Sequence, residues 1–396
     1  MRDILLKNLM LVDVKNKRAL KNTDVFIQNG IISEIGKNLN SECEEIIDCS
    51  GKYATPGIID MHVHLTWDGT SDPVGHDIRD GKYVAMVRGV ANAGECLKKG
   101  VTTLREVGSV GSVAIPIAHA INQGIVEGPT VIPCGAAIQS VYGHVPNIGI
   151  IADTDDELIK IIREMKLLLT ENLIPCQWIK IMATGGAAGL EEVGPSMYSL
   201  EQLELIVKEA HRLHLKVAAH AVSREGIINC IKAGIDTIEH GADISAEYLK
   251  MMKDKNLTLV PTLAIYKILA ESQGTIPARM VAKSKQVTEN QKTTFHNALE
   301  LGVRIALGTD SGSPNFGPQP AAFKEMQIMN EYGMPNMDVL RSATIIAAEV
   351  LGIEDRAGSL EVGKDADLIV LNSNPLDNLK AYDDLLYVYK KGKLVK

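Results

Sequence analysis

Apolar residues recur along this chain in two rhythms. Near the N-terminus, the short runs Ile4-Leu5-Leu6, Met10-Leu11-Val12-Asp13-Val14 and Asp24-Val25-Phe26-Ile27 are separated by polar turns, and Asn29-Gly30 leads into Ile31-Ile32. Asn-Gly between apolar runs predicts a hairpin, because both residues tolerate the positive φ of a two-residue turn. The C-terminal end repeats the pattern with Ala366-Asp367-Leu368-Ile369-Val370-Leu371, then Leu386-Tyr387-Val388-Tyr389, a turn near Lys391-Gly392-Lys393, and Leu394-Val395. Neither end carries enough strand to bury a core alone. The pattern therefore predicts one small β domain assembled from residues 1–54 and 352–396.

Between them, over residues 55–351, apolar strands alternate with amphipathic helices. Ser199-Leu200-Glu201-Gln202 reads as a capping box, and Leu203, Ile206, Val207, Ala210 and Leu213 then share one helical face. Eight strands are expected near Ile58–His64, Val101–Arg105, Thr130–Gly135, Trp178–Met182, Val217–His220, Thr237–His240, Thr258–Thr262 and Ile305–Asp310. Such alternation points to an α/β class and a (β/α)8 TIM barrel, with a doubly wound sheet as the other solution of the same pattern. The distribution of polar residues decides between them.

The histidines, one lysine and one aspartate close these strands. His62 and His64 alternate on the first strand, so both imidazoles share one face. Lys180 ends the fourth, His220 and His240 end the next two, and Asp310 ends the eighth. In a barrel these ends converge on one face, where a metal needs several donors at once, and imidazole with carboxylate suits zinc. Taken singly, each of these residues reads as an ordinary polar strand end or turn residue. Taken together and in this order, they read as a metal centre.

Composition narrows the class further. Hydrophobic residues make up 45% and charged residues 23%, ordinary for a globular chain, and the net charge of −8 with scattered basic residues argues against a nucleic-acid partner. No apolar run is long enough to span a bilayer, so no membrane association is expected. The start of the chain lacks an apolar signal region, which points to the cytoplasm. The six cysteines are dispersed without a CxxC, so neither a disulfide framework nor a cysteine zinc site is expected.

The sequence resembles the amidohydrolase superfamily across nearly its whole length. The resemblance rests on Pro56-Gly57-Ile58-Ile59-Asp60-Met61-His62-Val63-His64, on Gly308-Thr309-Asp310-Ser311-Gly312, and on the tail from Gly358 to Leu368. Three further segments, Gly100–Gly108, Ile179–Gly186 and Asp236–Gly241, look like its prolidase-type dipeptidase and carboxypeptidase branch. That likeness implies a barrel with a composite β-sandwich and two zinc ions per chain. By the resemblance, His62, His64 and Asp310 bind one ion, His220 and His240 the other, and Lys180 bridges them as N6-carboxylysine. Burial among cations would keep the lysine neutral, the form that adds carbon dioxide. A carboxylate partner near the strand end is the plainer role for Lys180.

The implied reaction is hydrolysis of an amide or peptide bond in a small-molecule substrate. A metal-bridging hydroxide attacks, and Asp310 acts as general base and then general acid. His144, in Tyr142-Gly143-His144-Val145-Pro146, is the candidate to hydrogen-bond the substrate carbonyl, with Tyr142 beside it. His76, His119, His211, His214 and His296 read as structural, and Arg105 with Glu106 as an ion pair behind the pocket. Thr66–Lys82 and Gly185–Ser199 read as loops that supply lid and specificity. Relatives of this kind form homo-oligomers.

Some text departs from those relatives. Val145-Pro146 replaces a glycine-rich stretch after His144. Ala221-Val222-Ser223 puts no aromatic or basic residue after His220, and the segment Ser311–Phe316 lacks a downstream histidine. None of these touches the metal set, but all bear on dipeptide specificity. Cyclic-amide or lactone hydrolysis stays open. A mononuclear deaminase is disfavoured because Ser223 stands where that branch carries glutamate. A non-enzymatic scaffold would be expected to have lost ligands, and all six positions are filled.

Overall fold

The turn at Asn29-Gly30 sets the first hairpin. Both residues take positive φ, 52° and 81°, and Gln28 pairs with Ile31 across them. The computed structural model describes residues 2–317 and 322–396. In it, strands from both chain ends build one eight-stranded sheet. Tyr53–Pro56 lies inside that sheet, parallel to Ile4–Asp13 on one side and antiparallel to Leu368–Leu371 on the other. Leu6, Leu9, Val25, Ile27, Leu368 and Val370 pack into its own apolar cluster, distinct from the larger core.

The middle of the chain is α/β with parallel strands. Ile58–Val63, Val101–Glu106 and Thr130–Pro133 form one sheet. The other runs in the order Gly149–Ile151, Ala137–Gln139, Trp178–Met182, Lys216–Ala221, Thr237–His240, Thr258–Val260, Arg304–Ile305. The two sheets meet along the first strand, where Met61 N donates to Leu307 O at 2.9 Å and Asp310 N to His62 O at 2.7 Å. The expected eighth strand, Ile305–Asp310, is therefore shorter as a ladder. Only Arg304–Ile305 is regular, and the following residues track the first strand through single bonds until Asp310 turns to φ 62°. The third strand breaks at Gly135 (φ 75°), and Ala137–Gln139 and Gly149–Ile151 had no counterpart among the expected strands.

The helix from Leu200 to Arg212 carries both halves of its capping box. Gln202 N donates to Ser199 Oγ at 3.3 Å, and Ser199 N to Gln202 Oε1 at 3.2 Å. Thr66–Lys82 is not one long loop. Asp72 caps a helix that starts at Pro73 and runs to Lys98, broken at Gly81, so only the stretch up to Asp72 remains irregular. All six cysteines are unpaired thiols. Among the described residues, no helix is long and apolar enough to cross a membrane.

Candidate metal centre

Parallel register brings the strand ends level. Met182 pairs with His220, and Ala221 with His240. His62, His64, Lys180, His220, His240 and Asp310 all line one inner cavity of about 40 Å³. Ligand atoms of His62, His240 and Asp310 lie within 4.8 Å of one another. Asp310 Oδ1 is 3.3 Å from His64 Nε2 and 3.6 Å from His62 Nε2, and the His220 and His240 ring centres are 4.6 Å apart. His240 (φ 70°), Asp310 (φ 62°) and Thr262 (φ 46°) are non-glycine residues in the left-handed region. Each costs about 1–3 kcal/mol of backbone strain, and such residues cluster where a side chain must be aimed.

A second layer fixes which nitrogen each imidazole offers. His62 Nδ1 donates to Glu239 Oε2 at 2.7 Å, and His64 Nδ1 to Gly108 O at 3.0 Å, so both leave Nε2 for the cavity. His220 is reversed: its Nε2 donates to Gly185 O at 3.1 Å, which leaves Nδ1. His240 Nδ1 is 2.7 Å from Thr262 Oγ1. Burial pushes His62, His220 and His240 well below the usual imidazole range, reinforced by neighbouring cations, and holds each neutral with a free lone pair. Such rings are metal donors, so this residue set suits a cation.

Lys180 is buried and, among the described residues, has no carboxylate or other hydrogen-bond partner, so the plainer ion-pair role has no support. Burial lowers its pKa, partly offset by Glu239 and Asp310. Burial alone would raise Asp310, but its close contact with His64 and its attraction to His62, His64 and Lys180 outweigh it, and the carboxyl lies below the usual carboxylate range. Asp60, raised by burial to about 7, accepts from Thr309 Oγ1 at 2.7 Å and tethers the segments that carry His62 and Asp310.

The ion pair behind the pocket has a different partner from the one expected. Arg105 binds Glu239 Oε1 at 2.7 Å, Thr237 Oγ1 at 3.0 Å and Met61 O at 2.7 Å, with Trp178 stacked 4.5 Å from its guanidinium. Glu106 faces elsewhere. One of its oxygens takes Gly108 N at 3.3 Å, and burial pushes its carboxyl well up. Neighbouring strand positions 105 and 106 point to opposite faces, which is why they do not pair.

His144 lies in the inner cavity, stacked on His220 at 4.5 Å, with Nδ1 2.5 Å from Glu191 Oε1. A Cβ at position 186 would stand 2.5 Å from His144 Nε2, so the ring's seat requires Gly186. The segment carrying Glu191 is itself clamped. Lys283 Nζ donates to Gly186 O, Gly189 O and Glu191 O at 3.2, 3.1 and 2.5 Å. Tyr142 is outside the inner cavity, 57% exposed, on the wall of an outer chamber of about 580 Å³ that shares Val145, Ala188 and Pro314 with the inner one. His76, His119 and His211 bond Asp68, Asn172 O and Asp236, and His296 pairs with Glu300.

Sequence reasoning passed over Glu239, Glu191 and Lys283. A signal existed for Glu239, since an acid inside the apolar strand text Thr237-Ile238-Glu239-His240 is a buried charge that needs a partner. None existed for the other two.

Comparison with known proteins bears on what this centre does. The chain is 28% identical over 95% of its length to ochratoxinase of Aspergillus niger, covering 83% of that protein. It is 27% identical over 94% of its length to imidazolonepropionase of Treponema denticola, covering 91% of that protein. A crystal structure of a Xaa-Pro dipeptidase with bound methionine in the active site superposes with a TM-score of 0.90 at 30% identity, covering 99% of both chains. Residues 53–395 match the amidohydrolase family model, and the chain accordingly belongs to the amidohydrolase family, as a hydrolase of carbon–nitrogen bonds in small molecules.

Proposed function

We propose that this protein is a prolidase-like dipeptidase or carboxypeptidase that cleaves an amide bond with two zinc ions. The observation that carries this reading is the convergence of six donors on one buried cavity, each imidazole with its other nitrogen engaged. We take the parallel strands as a (β/α)8 barrel over residues 55–351, with residues 1–54 and 352–396 as a composite β-sandwich. His62, His64 and Asp310 would hold one ion and His220 and His240 the second, with Lys180 as a bridging N6-carboxylysine. An unpaired buried amine is the form that adds carbon dioxide and loses its proton to become that anion. When bound, the metals supply an acidified water and a polarised carbonyl.

The chain's own groups do the rest. Asp310 accepts the proton of the attacking water and returns it to the departing amine. His144, held at Nδ1 by Glu191, would donate from Nε2–H to the substrate carbonyl oxygen as an imidazolium. Glu239, gripped by Arg105, keeps the His62 lone pair aimed at the cavity. A cytoplasmic homo-oligomer belongs to the same reading and is checked by sedimentation and fractionation. The likeness to an imidazolonepropionase favours cyclic-amide hydrolysis as the second reading.

The test is release of free amino acid from dipeptides and N-acyl amino acids, with zinc and bicarbonate supplied and Asp310→Asn as control. Release that is lost in the variant supports the proposal. No release from protein holding about two zinc ions per chain, with turnover of cyclic amides or lactones, overturns it in favour of the second reading.

A further inference from the structure

The inner cavity has room for the reacting centre and little else, since about 40 Å³ is the space of a few water centres. The body of a substrate must therefore extend into the outer chamber of about 580 Å³. Its walls are largely apolar, with Val141, Tyr142, Leu190 and Met280 among them. Three charged residues also line it. Asp72 is paired with Arg79 at 3.3 Å and caps a helix, and Glu191 is committed to His144. The third, Arg279, is exposed and has no hydrogen bond or ion pair among the described residues.

Arg279 contributes nothing evident to its own helix. It sits in the first turn of Ala278–Leu301, where the macrodipole disfavours a cation and no acidic residue offsets it. The helix beneath it is firmly tied to the site. Lys283 clamps the Glu191 segment, Gln291 Nε2 donates to His240 O and Pro261 O at 3.1 and 2.6 Å, and Thr294 Oγ1 donates to Ala242 O at 3.1 Å. A free guanidinium thus stands on a rigid bar over an apolar chamber. Ala221, Val222 and Ser223, which follow His220, offer no basic or aromatic group for a substrate anion, and Arg224 beyond them is paired with Asp243 at 2.9 Å.

We propose that Arg279 binds the carboxylate of the substrate and so sets the specificity for amides that carry a free carboxylate and an apolar side chain. Its planar fork takes a carboxylate through two parallel hydrogen bonds, which an uncharged carboxamide cannot accept. The inference rests on amide hydrolysis as the activity.

Its test uses zinc-loaded full-length protein and a panel of N-acetyl and glycyl derivatives of leucine, methionine, phenylalanine and proline. Each compound is supplied as the free acid and as the C-terminal carboxamide. The native protein is expected to prefer free acid by at least about 10-fold in kcat/KM. Arg279→Met should remove most of that preference, about 10- to 100-fold, mainly through KM, and Arg279→Lys should restore part of it. A merely structural residue would lower both columns of the panel alike. No preference in the native protein, or equal losses on acids and carboxamides in the Met variant, overturns the role of Arg279 and leaves amide hydrolysis standing. Hydrolysis of neither column by zinc-loaded native protein removes the activity itself, and this inference with it.

Discussion

The inner cavity and the outer chamber share three wall residues but are built in opposite ways. In the inner cavity the candidate ligands stand on the strands or just beyond them and are buried or nearly so, and each of the four imidazoles has its other nitrogen engaged, by Glu239, Gly108, Gly185 or Thr262. In the outer chamber Val141, Tyr142 and Leu190 are 74%, 57% and 82% exposed and belong to connecting segments. The difference separates what reacts from what is chosen. Strand ends hold a fixed reacting geometry, while the loops around them are free to vary with the substrate.

That contrast can be broken from the inside outward. Asp310→Asn keeps the shape but loses the proton acceptor, and kcat should fall by about 10³-fold or more with the fold retained by circular dichroism. A retained rate would remove Asp310 from the chemistry. Stripping metal with a chelator should abolish activity and lower Tm by about 5 °C, because a ligand bound only by the native state stabilises it. Calorimetry with and without added zinc reads this, and an unchanged Tm would argue against a metal in the cavity.

Glu239→Gln leaves Arg105 buried without its counter-charge and His62 without its anionic acceptor. Zinc affinity should weaken about 10- to 100-fold in competition with a chromophoric chelator. Lys283→Met frees three carbonyls and loosens the Glu191 segment, for an expected 3- to 10-fold loss of kcat/KM at full zinc content. At the outer extreme, Tyr142→Ala should reorder the substrate panel while stability stays within about 0.5 kcal/mol. A large stability loss there would dissolve the distinction between the two regions.

The sequence carried the local features well because their causes are local. The Ser199 capping box and the Asn29-Gly30 turn each depend on residues within three positions of one another. The six strand-end residues were legible because a repeated strand–helix pattern carries successive strand ends to the same side. Partner choice was not legible. Arg105 pairs with Glu239, 134 positions away, and His144 with Glu191, 47 away, contacts decided by how the strands lie together. The eighth strand read too long because apolar text from Ile305 continues after the backbone has left ladder geometry. The lid segment read as a loop because its polar, glycine-containing text hides a helix that begins at Pro73 and tolerates a break at Gly81.

The sheet shared by both chain ends has a consequence for how the protein is made. Tyr53–Pro56 pairs with Ile4–Asp13 almost as soon as it is synthesised, but its other neighbour, Leu368–Leu371, leaves the ribosome roughly 300 residues later. At about 5–20 residues per second that gap lasts on the order of 15–60 seconds. Throughout it, a nascent chain carries an unpaired β edge, the feature that recruits strands from other molecules. Anything that slows elongation between these strands lengthens that exposure, so soluble yield should depend on translation speed as well as on the stability of the finished fold.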